Sequence, residues 1–189
     1  GADAAESGGT ASDDRRFFHA PDIVHSYDEF GDFDGVLIQS GNRENPNESQ
    51  VENALFYIKD RQIAKGSATV RAENTVRNPA GRVHYTDLMD QTNCILGTED
   101  AGEGVDDDSL ACGDRSLNSG WKLRFTEPGE KGLSTPLTDG GRVFASTFIP
   151  GDATPCAVRP GRGLLRVVQL ANATAVASTR TRLDADTCS

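Results

Sequence analysis

Asp28, Asp32 and Asp34 precede Gly35 in the run YDEFGDFDG. Aspartates two apart ahead of a glycine resemble the opening of a calcium loop, where alternate carboxylates converge on one ion and the glycine permits the sharp turn. Only Asp32, Asp34 and Gly35 keep that spacing, and the same residues serve equally well in a turn that bonds its own backbone. A second set with chemical potential is the cysteines, Cys94, Cys112, Cys156 and Cys188. No two of them have the close spacing of a zinc knuckle or a thioredoxin-like site. Cys94 and Cys112 bracket an acidic, Gly- and Ala-rich insertion over 97–112, whose composition gives it no core of its own. Closing such a loop is worth roughly 3 kcal/mol on the chain-entropy model. We therefore expect Cys94 paired with Cys112 and Cys156 with Cys188, and an oxidising compartment; four thiols in a cytosolic protein are the alternative. Mass measurement after alkylation, with and without reductant, separates the two.

The remaining residue types offer less chemistry. His19, His25 and His84 have no zinc-binding spacing and are expected in the core or on the surface. No phosphate-cradling loop, nucleophile elbow or supported acid/base pair can be identified, so no catalytic residue is assigned. In the polar loop from Ser40 to Pro46, Arg43 and Glu44 either face a partner or pair with each other, and local pairing is expected. Asn47-Glu48-Ser49 and Asn172-Ala173-Thr174 match the glycosylation pattern, a short motif with many chance occurrences.

The elements that must position these residues are strands. The chain has 189 residues, enough for one ordinary domain, and its 20 glycines and few aromatics suit a turn-rich all-β protein. The net charge of −10 disfavours a nucleic-acid partner. No apolar run is long enough for a transmembrane segment, and the first residues lack the basic and apolar regions of a signal peptide, so a signal for an exported protein is expected upstream. Residues 1–14 read as a flexible arm or loop. Phe17 to His25 is extended, with Pro21 favouring an edge position or a strand start. Tyr27 to Gly35 reads as a turn. Val36-Leu37-Ile38 and Ala54 to Ile58 then form an antiparallel pair around a long polar loop, as in a propeller blade or a sandwich. Residues 63–83 read as irregular. From Val83 to Asp90 either a helix or a strand can open, with Thr86 or Asp87 as a cap. Trp121 to Phe125 alternates as a strand with one buried face. Asp139-Gly140 predicts a hairpin into Arg142–Ile149, and a second hairpin turns at Ala171 to Thr174.

The blocks FFHAPDIV, DFDGVLIQSGNRENP, NALFYIKDR, GWKLRF, GEKGLSTPL and GRVFASTFIP, with GLLRVVQL after the Cys156 segment, occur in an order that resembles the type IV pilus tip-associated adhesins, the PilY/PilC family. The resemblance implies that residues 15–189 are the C-terminal portion of a quinoprotein-dehydrogenase-like β-propeller. It implies an exported protein at the pilus tip, outer membrane or cell surface, acting without catalysis in adhesion, pilus biogenesis and twitching motility. The implied partners are minor pilins, the remainder of the same polypeptide, and a host or abiotic surface. The implied cofactor is calcium, held mainly by a loop outside this chain. At about 40–50 residues per blade the chain supplies about four blades or fewer and is expected to be incomplete alone. The alternative on the same fold is a quinone-dependent alcohol dehydrogenase, which needs a quinone, calcium, a catalytic carboxylate and stacking aromatics; the one tryptophan, Trp121, lies on an alternating strand where a core role suffices.

Overall fold

The computed structural model describes residues 13–61, 83–92, 118–151 and 161–176. These form an all-β arrangement of two sheets, with no α-helix among the described residues. The first sheet contains β1 (Asp22–Asp28), β2 (Gly31–Gln39), β3 (Ala54–Asp60), β4 (Met89–Asp90) and β5 (Gly120–Arg124), in the order β1-β2-β3-β5-β4. All neighbours are antiparallel except β4, which runs parallel to β5. The second sheet contains β6 (Lys131–Gly132), β7 (Leu137–Asp139), β8 (Arg142–Ile149) and β9 (Arg162–Gln169). Here β6 and β7 pair with β8, β9 also pairs with β8, and an isolated bridge joins Val168 of β9 to Ala175.

Alternation decides the faces. In β2, Phe33, Gly35, Leu37 and Gln39 are buried, while Asp32, Asp34, Val36 and Ile38 between them are more open. The inward residues of the first sheet join Val143, Ala145 and Val168 of the second in one core, with Tyr57 and Trp121 at its centre. Each large apolar side chain buried there contributes about 1.5–3 kcal/mol relative to exposure. Gly35 is required by this packing, since a Cβ at its position would lie 2.4 Å from the Tyr57 ring. The two sheets are also joined by polar bonds. Gln39 Nε2 donates to the carbonyls of Ser134 (2.7 Å) and Ser146 (3.2 Å). Trp121 Nε1 donates to the Leu170 carbonyl at 2.8 Å. Trp121→Phe should therefore cost about 1–3 kcal/mol, by shrinking a core side chain and leaving that carbonyl without its donor. Urea denaturation followed by circular dichroism measures it.

The stretch from Tyr27 to Gly35 is mostly strand. Asp28 pairs with Gly31, so only Glu29 and Phe30 form the turn, helped by Gly31 at φ +108° and by the Phe30 amide donating to Asp28 Oδ1. The strand through Trp121 buries both faces, because a second apolar layer of Ala54, Phe56 and Leu88 lies on the outer side and Tyr85 covers Lys122. Val83 to Asp90 forms a 3-10 turn at Tyr85–Asp87 and then β4; the cap is His84 and neither Thr86 nor Asp87, the Asp87 carboxylate instead accepting the His84 amide from the third position of the turn. Pro21 immediately precedes β1, and β1 is an edge strand, as the proline suggests. The predicted hairpin turns at Gly140-Gly141, with φ +53° and +74°, the doubly positive geometry of a type I′ turn. Residues 1–12, the acidic insertion and all four cysteines lie outside the described residues.

Candidate functional site

Of the three aspartates, Asp28 lies on the core side of β1, because the two-residue turn puts Asp28 and Gly31 opposite each other on one face. Asp32 and Asp34, one and three residues further along β2, fall on the outer face, opposite Tyr27 and His25. The hairpin thus splits the cluster. Asp34 Oδ1 lies 3.0 Å from His25 Nδ1 on the surface, and Asp32 is exposed. Among the described residues no group of His, Cys, Asp or Glu side chains is arranged to hold a metal ion. Asp28, Asp32 and Asp34 do not fit a shared calcium site, since a single ion needs oxygens that converge.

Asp28 is engaged by cations. Arg61 Nη1 reaches Asp28 Oδ1 at 2.8 Å and Arg61 Nη2 reaches Oδ2 at 2.5 Å, a two-pronged pair, while Lys59 Nζ donates to Oδ2 at 2.8 Å. Both cations pack on the Phe33 ring, 4.8 Å (Lys59) and 5.0 Å (Arg61) from its centroid. Burial by itself would raise the Asp28 pKa; the bonds from Arg61, Lys59 and the Phe30 amide reverse that and hold it at about 2. Burial, reinforced by the Asp28 carboxylate, pushes the neighbouring Tyr57 hydroxyl up to about 12. Asp28 is thus a saturated carboxylate, and its role is to tie β1 to the end of β3.

Two further charged groups are locked in the same way, and neither stands out in the sequence. Glu130 is fully buried after the turn that follows β5. Its Oε1 accepts from Thr147 Oγ1 (2.6 Å) and Arg166 Nε (2.8 Å), and its Oε2 from Arg166 Nη2 (2.6 Å). Lys131, also fully buried, turns the other way, and its Nζ donates to the carbonyls of Glu48 (2.6 Å) and Asn45 (3.3 Å). Burial lowers its pKa, with Glu48 opposing. The polar loop between β2 and β3 is thereby fastened to the second sheet. Within that loop Glu44 meets Arg16 at 4.0 Å, so the expected pairing of Glu44 with Arg43 is replaced by a contact to the N-terminal segment. Lys131→Met should leave two carbonyls without their donor and loosen this loop by about 1–3 kcal/mol. Faster amide exchange at Glu48 and Gly41, with β8 amides unchanged, is the expected reading.

An open depression of about 450 Å³ lies beside the loop, lined in part by Glu52, Thr92, Arg124, Glu127 and Glu130. Its charges already have partners: Arg124 lies 2.8 Å from Asp90 and 3.5 Å from Glu52, and Glu130 is bound as described. Nothing in the sequence assigns a role to Glu130, Lys131 or Arg166. For Lys59 and Arg61 a signal existed, because they share the inward parity of Leu55 and Tyr57, and a cation on a buried face requires a partner.

No family model, curated protein or solved structure matches the chain.

Proposed function

We propose that this chain is a non-enzymatic binding module, part of a β-propeller, that serves adhesion and pilus assembly and retraction control at the tip of a type IV pilus. The carrying observation is the use of its sequestered charge: the half-buried Asp28 and the fully buried Glu130 and Lys131 are each closed on other groups of the protein, in a scaffold whose loops and edges face outward. The antiparallel paths β1-β2-β3-β5 and β7-β8-β9, two sheets on one core, are compatible with neighbouring blades and equally with a sandwich, and β4 departs from a blade by running parallel to β5. The remaining blades and the calcium loop are assigned to polypeptide outside this chain. Fold and function are separable, so the pilus assignment rests on the family resemblance.

The dehydrogenase alternative draws less support, because Trp121, the one tryptophan, is buried in the core with its N–H bonded to Leu170 and has no face left for a cofactor. The test is binding of purified minor pilins to the purified chain, with pilus counts in cells lacking it. Saturable pilin binding and altered piliation support the proposal. Dye-linked alcohol oxidation by the protein reconstituted with quinone and calcium would overturn it.

A further inference from the structure

The depression of about 450 Å³ beside the β2–β3 loop is of ligand size, and its walls are fixed from behind. On one wall Glu48 Oε1 accepts the Gln50 and Val51 amides, while Lys131 holds the Glu48 carbonyl. On the other the Phe125 amide donates to the Asn53 carbonyl and the Glu130 amide to the Glu127 carbonyl. Asn53 Nδ2 donates to the carbonyls of Val51 (3.4 Å) and Glu130 (3.2 Å) and so ties one wall to the other. A hollow held in this way needs little further ordering when a ligand enters. The charged groups around it are paired within the protein: Glu52 with Arg15 and Arg124, Arg124 also with Asp90, and Glu127 with Arg162. What remains free is neutral. The hydroxyls of Ser49 and Thr126 and the side-chain amide of Gln50 are exposed and make no hydrogen bond to another described residue.

We infer that this depression binds a neutral saccharide. A charged ligand has to break one of the existing ion pairs to gain a partner, whereas sugar hydroxyls meet the free hydroxyls and amide at no such cost. The Gln50 amide both donates and accepts, which matches an acetamido substituent as well. Val51 and Pro128, also in the lining, offer small apolar surfaces to the C–H face of a sugar ring. An apolar ligand is disfavoured, since it would cover these polar groups without bonding them. The inference gives the adhesive role a ligand class, and it rests on the binding-module reading only for that biological setting.

The probes are glucose and N-acetylglucosamine, with glucosamine and glucuronate as cationic and anionic controls at about pH 6, each titrated against the full chain and followed by amide chemical shifts. The expected result is saturable binding of at least one neutral sugar with Kd on the order of 1 mM, unchanged by added salt. The shifts fall on the amides of Ser49 to Glu52 and of Thr126, Glu127 and Gly129, and both charged sugars bind at least about fivefold more weakly. Gln50→Ala and Thr126→Ala, both at exposed positions, each weaken binding about three- to tenfold with an unchanged circular dichroism spectrum. No binding of either neutral sugar at about 100 mM, equal or tighter binding of a charged one, shifts confined to other parts of the chain, or undiminished binding by the double variant would each overturn the inference. Pilin binding by a chain that takes no sugar sinks this site and leaves the pilus reading intact. Sugar binding by a chain that takes no minor pilin does the reverse.

Discussion

Glu130→Ala is expected to lower the stability of the chain by about 3–5 kcal/mol, because it strands the Arg166 guanidinium in a nearly closed environment. Arg166 keeps only 12% of its side chain accessible, so water can replace only in part the carboxylate that two of its nitrogens now contact. Thr147 loses its acceptor at the same time. The loss belongs to the unpaired cation more than to the bond itself, and a second substitution exposes the difference. Removing both charges, as Glu130→Met with Arg166→Met, should recover most of the stability, since a well-packed apolar pair replaces a buried ion pair at little cost. Urea denaturation of the two singles and the double gives the coupling directly. Additive losses in the double variant would mean that the pair does not act as a unit.

Arg61→Met should have a comparable effect, about 3–5 kcal/mol, and should also change the response to acid. In the native chain Asp28 is held at about 2, below its ordinary 3.8. A carboxylate whose folded pKa is depressed stabilises the protein fully above the unfolded value and loses that contribution as pH falls through the folded one. The unaltered protein should therefore lose on the order of 2 kcal/mol between pH 4 and pH 2 from this group. Without Arg61 the depression shrinks and the acid limb flattens, even though the variant is less stable at neutral pH. Lys59→Met, which removes one bond where Arg61 supplies two, should show the same trend in weaker form. Denaturant midpoints from pH 2 to pH 6 test both, and an unchanged acid limb in Arg61→Met would refute this account of Asp28.

How legible these features were depends on whether local pattern or distant packing sets them. The antiparallel pair around Leu37 and Tyr57 and the Gly140-Gly141 hairpin were visible because period-two alternation and doubly positive turn residues act over a few positions. The division of the aspartates between two faces was also within reach, but only once the turn was recognised as two residues long; read as a long turn, Tyr27 to Gly35 hides the parity. Burial of Lys122 was not legible, because its cover comes from Tyr85, whose ring centroid lies 3.8 Å from the Lys122 nitrogen. Glu130 and Lys131 look like a surface charge pair in sequence. Their opposite directions, one toward Arg166 and one toward the Asn45 and Glu48 carbonyls, are set by two sheets meeting.

The backbone leaves β3 after Arg61, returns to the first sheet at β4 and enters β5 just past Asn118, and Arg61 and Asn118 are side by side: Arg61 Nε donates to the Asn118 carbonyl at 3.1 Å, and the Lys59 amide to the Ser119 carbonyl at 3.0 Å. A tether fixed at both ends across so short a gap is insensitive to how much chain hangs from it, since closure entropy grows with the logarithm of length and a doubling costs only about 0.6 kcal/mol. Changes of length between these anchors should therefore cost little so long as residues 83–92, which supply buried Leu88 and Gln91, the Tyr85 cover of Lys122 and β4, keep their place. A foreign epitope or tag inserted between Arg61 and Val83 should be carried with little loss of stability.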